Sequence, residues 1–440
     1  MAFQVVVLAG GRGQMLYPLA NHTPKALLPI GNKPMLAYIL ETLDRSGEDF
    51  SRGILIATND QYYTEISEFL SRYIQLNSNT YNVINVPEEF PGTLGTLRYL
   101  FSQKLITSDI MVVSCDLLVD HTIIPDFIKQ FRIENSSFSM LLHNGTAANE
   151  EMQIFGVNEN RVLTIFDWIN ISDSDGLVLP KRLLQKCPQI ELRNDMISSY
   201  CYLFKKWLLN NILTSDDDKI EMMLDIKEDL VPFLLKKQFS SLFLHQFAYE
   251  EDSDEEEPGK IPIKTFKITF YLCPEDAFCR RVQLIKQYLE TNMLKLRPLA
   301  NDEKKKQEAK PIPMVLESTG NNARNILNNY YRAGKITNNI PPEMKSISND
   351  SIIAENIVMG QKSSITKSII GKDVTIGKGC KIVQSVIMDH VIIEDESNIN
   401  NSIICSRAVV GSKSKVLNSQ LAHGSRTEPG TMLKEEIRLG

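Results

Sequence analysis

At 440 residues, with 43% hydrophobic and 23% charged side chains, the chain has a globular composition and exceeds what one hydrophobic core organises. Its net charge of −6 disfavours a surface built for nucleic acid or anionic membrane, which are bound through excess Lys and Arg. The seven cysteines form no CxxC pair or Cys/His cluster in the sequence, and no apolar run approaches ~18 residues. The expectation is reduced thiols in a cytosolic protein that is neither secreted nor inserted in a membrane, with protein or small-molecule partners.

From Gln4 to about Asp116, short aliphatic runs alternate with amphipathic ones. The runs VVVLAG (5–10), GILIAT (53–58), NVINV (82–86) and IMVVSCD (110–116) are β-branched and too short for helices, as in parallel strands buried on both faces. Between the first two, Pro34–Arg45 carries an apolar stripe and stops at Gly47, a C-terminal cap. This order predicts a doubly wound, mostly parallel α/β sheet. Farther on, MISSYCYLF (196–204) and KTFKITFYL (264–272) read as strands. Asp225–Lys237 reads as a helix in which Pro232 would make a kink. The acidic run 250–257 predicts a mobile surface loop, with a docking or phosphorylation segment around Ser253 as the other reading. Ala277–Lys295 has the spacing of an amphipathic helix, and Asn301–Lys345 has linker composition.

The last hundred residues follow one rule. Steps of six, six and five residues from Ile353 reach Met359, Ile365, Ile370, Ile376, Ile382, Ile387, Ile393, Ile399, Ile404, Val410, Val416 and Leu421, all aliphatic or Met. This 17-residue period describes a three-sided solenoid, each side a short strand with one inward side chain. The predicted organisation is an α/β domain over 1–297, a linker over 298–346 and a parallel β-helix, of the left-handed kind, over 347–440.

The segment Leu8-Ala9-Gly10-Gly11-Arg12-Gly13-Gln14-Met15-Leu16 follows the first strand, where an α/β sheet places its ligand crevice. It fits neither the P-loop nor the dinucleotide pattern. With Thr23-Pro24-Lys25-Ala26-Leu27-Leu28-Pro29 and Asn32-Lys33-Pro34-Met35 after it, it resembles the signature of sugar-phosphate nucleotidyltransferases, a family with a Rossmann-type sheet. The resemblance implies that Gly10, Gly11 and Gly13 border a nucleotide's base and phosphates and that Lys25 faces the α-phosphate. It also implies that Gly92, Thr93 and Gly95, in Pro91–Thr96, lie against the base and that Asp116 binds a metal ion. Read from the residues alone, Asp116 could equally cap a turn, Lys25 could be a solvated loop residue, and Arg280 and Arg281 a solvated or salt-bridged helix face.

Two departures bear on chemistry. The family's Thr-Arg after the third glycine is Gln14-Met15 here, which removes a guanidinium from the transferring phosphates. The family's second metal aspartate is also missing, where 270–282 reads FYLCPEDAFCRRV. No catalytic residue is therefore expected, no cofactor is required, and the motif could keep only residual nucleotide or nucleotide-sugar binding. Over nearly its whole length the chain resembles the gamma-subunit family of eukaryotic translation initiation factor 2B. That resemblance rests on Gly31-Asn32-Lys33-Pro34, Ser114-Cys115-Asp116-Leu117, Lys237–Ser241, Cys279–Val282 and Glu394–Ile399. It implies a non-catalytic subunit paired with an epsilon subunit, assembled with alpha, beta and delta subunits, and acting on initiation factor 2 without direct nucleic-acid contact. The epsilon family carries a helical-repeat domain beyond its β-helix, for which no residues follow Gly440. The competing readings are an active pyrophosphorylase forming GDP-mannose or ADP-glucose, or a regulatory subunit of one.

Overall fold

The computed structural model describes residues 2–74, 80–145, 152–167, 179, 181–187, 189–215, 217–240, 266–305, 347–348 and 350–439. The acidic run 250–257 and most of the expected linker lie outside them. The chain divides into two compact units, one of Met1–Gly11 with Tyr38–Arg281, the other of Arg12–Ala37 with Val282–Gly440. This division differs from the single boundary expected at residue 297, because the segment that continues the glycine-rich motif groups with the C-terminal residues.

The first unit is built on a ten-stranded mixed sheet in the order 191–193, 153–158, 161–167, 268–272, 138–144, 196–204, 110–114, 4–8, 54–58, 81–85. The last four strands are all parallel, with Val6 beside Leu55 on one side and Val112 on the other. Gln4–Leu8 and Ile54–Thr58 are β-branched runs buried almost throughout, since helices must cover both faces of a parallel sheet. Val6, Leu55, Val112, Phe138 and Phe204 point to one face and share a core with Leu94, Leu97 and Leu100 of helix Gly92–Ser102. Strand Met196–Phe204 runs antiparallel to both its neighbours.

Two expected helices take other forms. Ile226–Leu230 is a wide π-type turn in which Leu230 N donates to Asp225 O at 3.1 Å, and α-helix Val231–Lys237 follows. Pro232 falls in its first turn, where its missing N–H costs nothing. The helix expected from Ala277 begins only at Ile285 and continues through Pro298 to Lys305. Cys279–Arg281 is instead a strand, antiparallel to Leu117–Val119 with Cys279 opposite Val119 and Arg281 opposite Leu117.

In the second unit the 17-residue rule becomes three parallel sheets of six, four and five strands. Ile353, Ile370, Ile387, Ile404 and Leu421 stack in register on one side; Met359, Ile376, Ile393 and Val410 on the second; Ile365, Ile382, Ile399, Val416 and Leu433 on the third. All share one core. One corner is tied by a serine ladder: the N–H groups of Ser368, Ser385, Ser402 and Ser419 each donate, at 3.1–3.2 Å, to the serine hydroxyl one coil earlier.

One outer face of this β-helix is covered by its own unit. Ile352, Ile369, Val386 and Ile403 precede the inward residues and should face outward, yet all are buried. Met293 of helix Ile285–Lys305 packs on Ile352 and Ile369. Asn32 Nδ2 donates to Ile370 O at 2.8 Å and Gly31 N to Asn292 Oδ1 at 2.9 Å, and the Tyr288 hydroxyl donates to Pro29 O. The rings of His22 and His423 lie 4.6 Å apart, tilted by 34°.

Candidate functional site

Each expected site residue has a physical surrounding, and the two units are taken in turn. In the first, Gly10 closes strand Gln4–Leu8, and its carbonyl accepts from Asn59 Nδ2 at 3.2 Å. A Cβ at Gly11 would meet nothing within 4 Å, so no contact in the protein demands glycine there.

Gly92, Thr93 and Gly95 open helix Gly92–Ser102. A bare helix N-terminus would offer N–H groups to an anion or a base. Here one of them is used by the protein's own backbone, as Leu94 N donates to Leu224 O at 2.9 Å, and the Thr93 side chain is engaged too, its Oγ1 donating to Asp225 Oδ2 at 3.1 Å and accepting from Ile226 N at 2.8 Å. Arg98, one turn on, donates to Met223 O at 2.7 Å and to Ile220 O. Gly92 has φ +75°, and a Cβ on it would lie 2.2 Å from Leu224 O. Its lack of a side chain is therefore explained by the strap 220–226, without a ligand. Nothing in the sequence marks residues 220–224 of this strap, and Asp225 and Ile226 fall at the start of the expected helix.

Asp116 follows strand Ile110–Ser114 and is fully buried. Its Oδ1 accepts from Arg281 Nε at 3.0 Å, and Arg281 is itself largely shielded, with 12% of its side chain exposed. The guanidinium carbon lies 3.4 Å from the centre of the Tyr200 ring, and Lys227 Nζ lies 5.4 Å from the same ring. Burial works against the Arg281 charge, but Asp116 and Tyr200 outweigh it and raise its pKa above the usual range. Burial also pushes the Tyr200 phenol up, against the pull of Lys227 and Arg281. Tyr200 holds a left-handed φ of 51° at a bulge in its strand, an unfavourable conformation for a bulky residue. These residues do not fit a divalent cation, which takes about six oxygen ligands. Among the described residues no three His, Cys, Asp or Glu side chains converge to hold a metal, and an arginine charge stands against Asp116. The metal expectation for Asp116 thus meets an ion pair, and Arg281 is a buried strand residue, contrary to the helix face expected.

All seven cysteines are free. Cys279, Ser199 and His143, scattered in sequence, meet in space: Ser199 Oγ lies 3.4 Å from Cys279 Sγ and 3.0 Å from His143 Nδ1.

In the second unit, Gly13 has φ +66°, and a Cβ there would come within 2.9 Å of Ala20 Cβ and 3.2 Å of Lys25 Cβ. Glycine is required because the loop folds back on the turn that carries Lys25, where Leu28 N donates to Lys25 O at 3.2 Å.

A family model for nucleotidyl transferases matches residues 4–244, more than half of the chain. The chain belongs to the nucleotidyl transferase family. A second model, the LbH domain of EIF2B subunit epsilon, matches residues 328–433, in keeping with a left-handed β-helix after the family's α/β domain. Among individual family members, the chain is 26% identical to the translation initiation factor eIF2B subunit gamma of Schizosaccharomyces pombe, over 66% of this chain and 64% of that protein. It is 25% identical to the gamma subunit of Dictyostelium discoideum, over 66% of this chain and 74% of the relative. A putative mannose-1-phosphate guanyltransferase of Sulfolobus acidocaldarius is 29% identical over 47% of this chain and 50% of its own length. No helix among the described residues is long and apolar enough to cross a membrane.

Proposed function

We propose that this protein is a non-catalytic subunit of translation initiation factor 2B, the guanine-nucleotide exchange factor that returns initiation factor 2 from its GDP-bound to its GTP-bound form. The assignment to that factor is supported by the likeness to gamma subunits from two eukaryotes across two thirds of the chain. The non-catalytic half of the proposal rests chiefly on one observation, the Asp116–Arg281 pair. Nucleotidyl transfer needs cations aimed at phosphates, and a carboxylate held by its own arginine is not available to a metal ion. Met15 adds to this, because a thioether cannot stabilise charge on a transferring phosphate.

In this role the chain works in the cytosol, pairs with an epsilon subunit that performs the exchange, and joins alpha, beta and delta subunits. Any residual nucleotide or nucleotide-sugar binding through Gly10, Gly11, Gly13, Lys25, Gly92, Thr93 and Gly95 is supported by the motif alone. The strap over Gly92 and Thr93 argues for weak binding.

The guanyltransferase likeness favours a second reading, a sugar-nucleotide pyrophosphorylase or its regulatory subunit. Pyrophosphate release from GTP or ATP with a sugar 1-phosphate and Mg²⁺ separates these readings: our proposal expects background rates, and turnover like that of an active family member would sink it. Affinity purification of the chain from its own cells should bring down an epsilon subunit. Recovery of an active pyrophosphorylase in its place would establish the regulatory reading.

A further inference from the structure

In the second unit the glycine-rich signature runs on into a loop that lays one histidine against the β-helix. From Gln14 to Pro24 this loop contains no Asp, Glu, Lys or Arg, so His22 is the residue in it whose charge changes near neutral pH. Two short turns shape it: Leu16 N donates to Gly13 O at 2.8 Å, Tyr17 N to Gln14 O at 3.1 Å and Asn21 N to Pro18 O at 3.4 Å. Leu16, Leu19 and Ala20 are buried, whereas His22 ends the second turn exposed. Its ring lies 4.6 Å from that of His423. Farther along, Gly31 N and Asn32 Nδ2 are bonded to Asn292 Oδ1 at 2.9 Å and Ile370 O at 2.8 Å, an anchor that involves no titrating group.

His423 stands at the corner after strand Gln420–Leu421 and is partly buried. Gly424 N donates to Ser406 O at 3.0 Å, which stacks this corner on the one that carries Arg407. On the other side Ala422 N donates to Arg438 O at 2.9 Å, so both neighbouring coils bring an arginine. The acids farther along the same corner are engaged there: Asp389 Oδ1 accepts from Lys372 N at 2.7 Å, and Asp373 Oδ2 lies 3.6 Å from His390 Nδ1. The charged groups that act on His423 are His22 and Arg407, and with burial they hold its ring below the usual histidine range. Two neutral imidazoles lie side by side without electrostatic penalty. Two imidazolium rings at this separation repel each other, and Arg407 adds a third positive charge.

We infer that the His22–His423 contact is an acid-sensitive latch, which holds loop 14–24 on the β-helix while the rings are neutral and releases it when they are charged. Protons bind the open loop more readily than the closed one, because separated rings escape each other's charge. The latch is therefore fully set above about pH 6.5 and weakens as pH falls below that value. Release stays confined to the loop, since the anchor at Gly31 and Asn32 does not titrate.

Amide exchange of the full chain, followed by mass spectrometry and corrected for the intrinsic effect of pH, reads the latch directly. Peptides spanning 14–24 should open on the order of tenfold more often at about pH 5 than at about pH 7.5, the scale of one like-charge contact near a protein surface. A peptide spanning 29–34 should not change. H22Q and H423Q should each flatten the response, and H390Q, whose ring sits by Asp373, should keep it. Ring titration of the wild-type chain by NMR, which needs no variant to fold, should show His423 taking its proton below the ordinary histidine range. Equal opening of 14–24 at the two pH values, an equal rise in 29–34, a response that persists in either H22Q or H423Q or is lost in H390Q, or a His423 ring that titrates at the ordinary value would overturn the inference.

Discussion

Arg281→Ala removes a guanidinium whose Nε donates, at 3.0 Å, to a carboxylate with no exposure to solvent. The truncation takes an ion-pair partner from Asp116 in a protein interior, and breaking a buried pair in this way costs roughly 3–5 kcal/mol. It also strips the guanidinium from the face of Tyr200, which adds a loss of about 1 kcal/mol. For a unit of this size each kcal/mol lowers the midpoint by roughly 2–4 °C, so the first unit should melt on the order of 10 °C lower. The double variant D116A/R281A removes the buried carboxylate together with the arginine, so it should be less destabilised than R281A alone, a sign that separates electrostatics from lost packing. Urea unfolding followed by circular dichroism measures both. Equal midpoints for R281A and wild type, or a double variant worse than R281A, would refute the argument that Arg281 serves as a fixed countercharge.

Two further outcomes follow from packing. Ile387→Ala, at a fully buried position stacked between Ile370 and Ile404, should cost roughly 2–5 kcal/mol in chemical denaturation. Ile392→Ala, five residues on and 45% exposed, should stay within about 0.5 kcal/mol. Gly92→Ala drives a Cβ into Leu224 O and should lower the midpoint of the first unit by several degrees, while Gly11→Ala meets nothing within 4 Å and should leave that midpoint unchanged. Similar thermal melts for the two glycine variants would contradict the account of the strap.

What the sequence made legible depended on whether a pattern was local. The β-helix follows from one step rule, because each coil repeats the same inward demand, and all thirteen positions from Ile353 to Leu421 lie in one core. The first parallel strands were equally readable from their length and β-branching. Cys279–Arg281 was misread as helix because three residues are too few to show a period of two, and its partner Leu117–Val119 lies far back in the chain. The site suffered the same blindness. Asp116 and Arg281 are separated by 165 residues, so nothing local announced their pairing, although the doubled arginine in place of the missing second aspartate was a signal. The strap over Gly92 hid for a similar reason: Leu224 acts through a backbone carbonyl, which leaves no mark on residue type. The protein's own backbone presses against Gly92 and Gly95, a reason for glycine that residue type alone does not reveal.

In the first unit Leu94 N–H, the Thr93 hydroxyl and the Asp116 carboxylate bond to Leu224, Asp225 and Arg281. In the second, residues 29–32 are hydrogen-bonded into the β-helix and its preceding helix. Both support a protein that keeps the family's architecture for assembly.

The central claim is tested most directly by the rate of GDP release from initiation factor 2. With a fixed, limiting amount of epsilon subunit, addition of this chain should raise that rate, while this chain alone should leave it at background. Equal rates for epsilon with and without this chain, or stimulation by this chain alone, would contradict the account.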